Sequence, residues 1–529
     1  MVDTIVDQLY RCLSDNKNFV LSGGAGSGKT HTLKNIINLI YEHNPNAHIA
    51  CITYTEVAAK EITDRCFTID RQNKLWVSTI HSFLWENIKN YQKHLKKAIA
   101  TLIQNHTISW TPKTEENNIN IIIADKRIDY KNYRDLDNGI VWHDDILKIS
   151  KYLFENYPLL IKIFCDKYDY VFIDEYQDTA VDVINIFMSI INTRYHTKIG
   201  FFGDSMQSIY SNGVGNLSAY VDNANLVEIQ KPDNFRCSRS VIDLCNKIRI
   251  DGLTQEPAHR NLAGEIDNKV GKAMFVYSDN PIEYFESHEL YHELFNRLGP
   301  DKTLYLTHRL IATKAKYKEL FEAYETFYNK KGKDKLIGDS KDHMALHLQE
   351  IAHLVYLYTN KKYNEFIQKT DFKFQNHSSK VTLKDNMEQF ASQNFSIGDA
   401  IIEMDRLQLL KLGDILLSDL ELFEHIKNIP FEQVQNLYNV EHNIAPYSTQ
   451  HGIKGAEFND VLVVLDNGKW NQYKFTELFS ATPDLKTLKL FYVCISRAMN
   501  NLVVYMQSPS ANTITKAKDW FGANNVIRI

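Results

Sequence analysis

Apolar and polar positions along the chain follow two periods. Between Asn18 and about Ile250, short apolar runs at Phe19–Leu21, Ile49–Thr53, Val171–Asp174 and Lys198–Phe202 are separated by stretches of helical spacing. Such runs predict strands of a parallel sheet covered on both faces. Thr55–Arg65 (TEVAAKEITDR) predicts a helix with Thr55 as its N-cap. From Ile80 to Asp169 the ends are helical and the middle is polar (KTEENN, KRIDYKNYRDLDN), which reads as an insertion into the first sheet. Strand-like runs return at Met274–Tyr277, Thr303–Leu306, Val461–Leu465 and Leu502–Tyr505, with helical and polar material from Ile311 to Val440. The pattern therefore predicts two α/β units, each interrupted once.

Composition narrows this picture. A chain of 529 residues is too long for one core and fits two to four domains. The net charge is −5, so any nucleic-acid surface is a local groove rather than a basic domain. The seven cysteines include no CxxC pair, which argues against a zinc site or a disulfide framework and fits a reducing, cytoplasmic setting. The N-terminal MVDTIVDQLYRCLSDN does not read as a signal peptide, and no uncharged apolar run is long enough to span a bilayer.

Two short stretches carry chemistry. LSGGAGSGKT, Leu21 to Thr30, fits GxxxxGK[ST] and lies between an apolar strand and a helix. In this pattern Gly23, Gly24, Ala25, Gly26, Ser27 and Gly28 turn backbone N–H groups around phosphates. Lys29 reaches the β and γ phosphates, and the Thr30 hydroxyl ligates Mg²⁺. The second stretch, VFIDEYQDTA, runs from a buried-looking strand straight into acids. Asp174 suits a Mg²⁺ ligand, and Glu175 suits the base that activates water. Gln177 and Asp178 would couple the γ-phosphate to neighbouring segments. A second acidic pair, Asp144 and Asp145 in VWHDDILK, has no strand before it and reads as a helix N-terminus.

With these motifs in order, the sequence resembles the UvrD/Rep branch of superfamily 1 DNA helicases. Gln8 stands at the position of the family's adenine-reading glutamine, and ITYTEVAAKEITDR and VSTIHSF resemble its single-strand-contacting motifs. FFGDSMQSIY supplies Gln207 as γ-phosphate sensor, and NFRCSRSVIDLCN supplies Phe235 against adenine and Arg236 toward the γ-phosphate. STQHGIKGAEF carries Glu457 for the ribose, with His451 and Lys454 facing DNA and the cleft. LFYVCISRAMNNL carries Arg497 as a second γ-phosphate arginine. The resemblance implies DNA contacts at Tyr54, Thr55, His81, Phe83 and Tyr210, and it places Arg236 and Arg497 outside the first core. It also implies 3′ to 5′ movement on single-stranded or tailed DNA, with ATP and Mg²⁺ between two cores.

The fold so implied is α/β, with two RecA-like parallel-sheet cores (1A and 2A), each carrying a mainly helical insertion (1B and 2B). The boundaries are 1–83 and 168–250 for 1A, 84–167 for 1B, 251–310 and 441–529 for 2A, and 311–440 for a reduced 2B.

The chain also departs from the family. After QSIY, where an aromatic-Arg-Gly-Ala run is usual, it reads SNGVGN, so one stacking platform and one arginine are missing. His31 stands where arginine usually faces adenine, Glu56 replaces an asparagine and Ala456 a leucine. The short insertions and the end soon after Arg497 resemble the helicase-like subunit of Gabija-type bacteriophage defence systems, whose partner is an OLD-family nuclease. Three functions stay open at this point. The first is a DNA-dependent ATPase that translocates and unwinds. The second is a nucleotide-gated scaffold regulating a nuclease without processive unwinding. The third is a small-molecule kinase, against which the second arginine argues.

Overall fold

The structure is a computed structural model, described here for residues 4–66, 74–193, 195–210, 212–222, 224–258, 269–338, 341–370, 377–410, 420–465 and 473–529. It divides into two compact units. The first is Met1–Gly271 with Asp484–Asn500, and the second is Lys272–Pro483 with Asn501–Ile529.

The first unit is built on a six-stranded sheet. Its strands are β1 (Asn18–Gly23), β2 (Ile49–Thr53), β3 (Leu75–Thr79), β4 (Tyr170–Asp174), β5 (Lys198–Gly203) and β6 (Leu226–Lys231). Their order is β3-β2-β4-β5-β1-β6, with parallel pairing throughout. The central strands β2 and β5 are buried along their whole length, as continuous apolar runs require. The edge strands β3 and β6 are only partly buried. The β6 sequence, LVEIQK, lacks the continuous apolar run that marked the other strands in the sequence. The helix Lys29–His43 leaves the phosphate loop through Gly28, whose φ of 73° is left-handed. The helix Glu56–Cys66 starts as expected, with Ala58 N–H donating to Thr55 Oγ1 at 3.2 Å.

Residues between the helix Ile80–Ile88 and β4 are mostly helical, including Gln92–Gln104, His143–Asn156 and Pro158–Lys167. They share one continuous hydrophobic core with the sheet, from Val20 and Ile52 to Leu95, Ile149 and Phe164. Asp145 lies in the first turn of His143–Asn156 and is fully buried. It accepts from Trp142 N–H at 3.1 Å and pairs with Arg134, so this acidic pair is the helix N-terminus its context predicted.

The second unit also carries six strands: β7 (Ala273–Ser278), β8 (Lys302–Tyr305), β9 (Tyr447–Thr449), β10 (Phe458–Leu465), β11 (Ala498–Gln507) and β12 (Val526–Arg528). They lie in the order β9-β8-β10-β11-β7-β12. β8 pairs in parallel with β9 and β10, and β7 with β11 and β12. Helices between β8 and β9 pack around Tyr317, Leu348, Ile401 and Leu437. Both sheets are RecA-like in their parallel, helix-covered architecture. Among the described residues no helix is long and apolar enough to cross a membrane. All seven cysteines are buried.

Candidate nucleotide site

The candidate site lies at the carboxyl ends of β1, β4 and β5, the crevice where open α/β sheets bind ligands. The loop after β1 turns through Gly26 and Gly28, both at left-handed φ. A Cβ on Gly26 would meet the Arg236 Cβ at 2.5 Å and the Asn234 side chain at 2.8 Å, so no larger residue fits there. Lys29 is buried and donates to the carbonyls of Gly23 at 2.9 Å and Gly24 at 3.3 Å, which braces the loop from within. Thr30 is half-buried beside it.

Asp174 ends β4 and is buried. Burial and the adjacent Glu175 carboxylate push its pKa up, against the pull of Lys29. Glu175 has φ of 54°, a left-handed conformation that costs a non-glycine residue about 1–3 kcal/mol. Its neighbours hold it there: the Glu175 N–H donates to Asp174 Oδ1 at 3.0 Å, and Gln177 Nε2 donates to the Glu175 carboxylate. Gln177 is fully buried, and its Oε1 accepts from the Asp204 N–H at 3.0 Å. The acidic turn is thus tied to the turn after β5.

That next turn carries Gln207. Its Nε2 donates to Asp204 Oδ2 at 2.9 Å, and its Oε1 accepts from Arg497 Nη2 at 3.2 Å. Arg497 is 1% exposed. Burial and nearby Arg236 lower its pKa to about 10, which still leaves it charged at neutral pH. Arg236 Nη1 approaches the Ser496 carbonyl at 3.4 Å. Both arginines therefore belong to the same compact unit as the phosphate loop. Arg236 lies within the segment 168–250 expected in the first core, and Arg497, expected in the second, groups with it here. The helix Leu485–Ile495 is buried on nearly every side, including Leu490, Phe491, Tyr492 and Val493, and it packs into the unit that holds Gln207.

The groups expected around the base divide between the two units. Phe235 is half-buried, with Lys231 Nζ 5.4 Å from its ring centre, and its N–H donates to the Gly26 carbonyl at 2.9 Å. Gln8 is on the exposed side of the helix Ile5–Ser14. His31 is half-buried, and burial with nearby Lys34, Arg65 and Lys231 holds its pKa below the usual range. In the second unit Glu457 is exposed, while His451 and Lys454 are half-buried and His451 Nε2 contacts the Tyr473 hydroxyl.

The residues expected to face DNA behave differently from one another. Tyr54 and Tyr210 are 44% and 41% exposed, and their rings stack with centres 5.8 Å apart and planes 20° apart. Thr55 is exposed next to them. Phe83 is fully buried against Phe164 and Tyr168, so it is a core residue and offers no face to a base. His81 packs edge-on to His143 at 5.0 Å, and burial with that neighbour pushes its pKa down to about 4. It is a half-buried imidazole, neutral at pH 7.

The SNGVGN segment, described from Asn212 onward, has an unexpected use. Val214 and Gly215 N–H groups donate to the carbonyls of Thr179 at 2.9 Å and Gln177 at 3.1 Å. A Cβ on Gly213 would meet the Gln177 carbonyl at 2.3 Å. The segment is a backbone strap over the acidic turn, and its glycines permit that approach.

Sequence reasoning passed over three residues and one cavity. Tyr492, Arg249 and Gln255 all contact the loop or Asp204 directly. The second unit holds a cavity of about 740 Å³, lined in part by Tyr305, Thr307, Arg309, Lys314, Tyr505 and Gln507, at the carboxyl ends of β8, β10 and β11. Only the carboxyl-end rule for parallel sheets would have pointed to it.

Residues 8–213 match the model of a family described as an AAA domain. Gabija protein GajB of Bacillus cereus (strain HuB5-5) is 23% identical, with 98% of this chain and 97% of that protein covered. ATP-dependent DNA helicase PcrA of Leuconostoc citreum is 25% identical over 43% of this chain and 36% of its own length. The PcrA of Bacillus subtilis (strain 168) is 24% identical over 49% and 41%. The chain thus spans nearly all of one relative and less than half of each PcrA. By its motifs, its two RecA-like sheets and these matches, the chain is similar to UvrD/Rep-type superfamily 1 proteins, among them ATP-dependent DNA helicases.

Proposed function

We propose that this chain is an ATP-dependent translocase on single-stranded DNA, moving 3′ to 5′, that acts with a nuclease partner in anti-phage defence. The observation that carries the reading is the convergence, within one compact unit, of Lys29, Asp174, Glu175, Gln207, Arg236 and Arg497. This set supplies a phosphate cradle, a water-activating carboxylate and two cations for the transferring phosphoryl group.

The residues fit Mg²⁺. Thr30 and the buried Asp174 carboxylate beside Lys29 would hold it, and among the described residues no cluster of three or more His, Cys, Asp or Glu forms an all-protein cage. One carboxylate with a hydroxyl and the substrate's own phosphates is the usual arrangement for this ion. When bound, it neutralises phosphate charge. Glu175 would take the proton of the attacking water, and Gln207 and Arg497 would hold the γ-phosphate oxygens. Gln8, His31 and Phe235 would face the base. With a neutral imidazole instead of a guanidinium at His31, adenine is gripped less firmly. The Tyr54–Tyr210 pair, with Thr55 beside it, would stack bases without reading their sequence.

The test is ATP hydrolysis with and without single-stranded DNA, then strand displacement on a 3′-tailed duplex. Hydrolysis should rise with DNA of any sequence, and binding should weaken as salt rises, because counterions return to the phosphates. Binding confined to one sequence and insensitive to salt would reject the translocase. A second reading has a specific observation behind it. The SNGVGN run, which forms the strap at Gly213–Gly215, replaces the family's aromatic-Arg-Gly-Ala run and its stacking platform, which favours a nucleotide-gated scaffold that regulates a nuclease without processive unwinding. DNA-stimulated hydrolysis without strand displacement is its signature.

The partner proposal rests on the near full-length match to a Gabija protein. A nuclease of the OLD family should copurify with tagged protein from the native host, through an interface on the order of 1,000 Å² or more. If the chain elutes alone and unwinds long duplexes unaided, the partner is not needed.

A further inference from the structure

The Ala25 peptide, in the phosphate loop, is held at both polar atoms by side chains from outside the loop. Its carbonyl accepts from Asn234 Nδ2 at 3.0 Å and Gln255 Nε2 at 3.1 Å. Its N–H donates to the Tyr492 hydroxyl at 3.2 Å. That hydroxyl also accepts from Arg249 Nη1 at 2.6 Å and donates to Asp204 Oδ2 at 3.1 Å, which fills its hydrogen-bonding capacity. Arg249 Nη2 holds the other Asp204 oxygen at 3.0 Å and Asp251 at 2.5 Å. Asp204 in turn accepts from Gln207, and Gln207 accepts from Arg497.

An unbroken chain of hydrogen bonds therefore runs from the loop peptide through Tyr492 and Asp204 to the pair of groups expected at the γ-phosphate. Tyr492 is fully buried, and burial with the Asp204 charge keeps its phenol protonated, so the donor role is stable. Arg249 has a side chain 2% exposed; burial opposes its charge, and Asp204, Tyr492 and Asp251 more than offset that. The helix that carries Tyr492 leads directly into Arg497, so fixing one orients the other.

We propose that Tyr492 and Arg249 are positioning residues for phosphoryl transfer, locking the phosphate loop to the Gln207–Arg497 pair so that the two sides of the site keep one geometry. This rests on the reading of the site as an ATPase. Small displacements of reacting groups cost rate far more than binding.

Tyr492→Phe keeps the ring and removes the hydroxyl alone. It should lower kcat for ATP about tenfold or more while KM for ATP changes by about twofold or less. Because Tyr492 acts through Asp204 and Gln207, adding Gln207→Ala should cost less in the Phe background than in the wild type. A kcat within about twofold of wild type, or losses that multiply fully in the double variant, would overturn the proposal. Arg249→Lys keeps the charge but not the fork, and should repeat the split if Tyr492→Phe folds poorly. Wild-type protein that hydrolyses no ATP would overturn the ATPase reading itself. Wild-type hydrolysis with unchanged variants overturns only the positioning roles.

Discussion

Glu175→Gln is expected to bind ATP at close to wild-type affinity and to stop turning it over. The substitution keeps the size of the side chain and its acceptor oxygen, but removes the group that takes a proton from water. Loss of a positioned general base is worth roughly 10²–10⁴ in rate. The backbone at this position is already pinned, by the bond from Glu175 N–H to Asp174 and the contact from Gln177, so the amide should sit where the carboxylate did. Lys29→Ala should behave differently. It removes a phosphate charge partner and the two bonds that brace the loop at Gly23 and Gly24, so binding and turnover should both fall. Fluorescent-nucleotide binding beside phosphate release separates the two outcomes. Wild-type turnover in Glu175→Gln would remove Glu175 from the role of base.

Arg497→Ala should lower the hydrolysis rate roughly 10³- to 10⁵-fold, the range for losing an arginine that neutralises a transferring phosphoryl group. The side chain is 1% exposed and donates to Gln207, Ser496 and the Val493 carbonyl, so stability has to be followed alongside rate. Arg497→Lys keeps the charge without the planar fork. It should recover much of the melting temperature and little of the rate. If Arg497→Ala folds and hydrolyses ATP within about threefold of wild type, this arginine does not face the γ-phosphate.

Some of this was readable from residue order. A glycine-rich loop between an apolar run and a helix announces itself, because the strand, the turn and the helix N-terminus are consecutive and each has a local composition. The acids at Asp174 and Glu175 were legible for the same reason: an apolar strand ends and the charges begin at its tip. The inner strands were visible as apolar runs because both of their faces are covered. β6 and β12 were not, since edge strands bury only part of their surface.

Depth was the first thing that sequence order left undecided. Phe83 and Tyr210 both sit in aromatic-bearing motifs, yet one is sealed in the core and the other is exposed. Neither composition nor spacing records which elements pack over a side chain. Long-range pairing was the second. Tyr492 meets Ala25 and Arg497 meets Gln207 across hundreds of intervening residues, Arg249 meets Asp204 across 45 positions, and no local pattern marks the partners. The helix Leu485–Ile495 looked like part of the second core by its place in the chain, but buried apolar groups on nearly every side of it join it to the first unit. Residue order thus determined the chemistry of each short segment, through backbone sterics and local hydrophobic period. Which segments share a site was decided by tertiary packing, because burial and hydrogen-bond pairing depend on distance in space rather than along the chain.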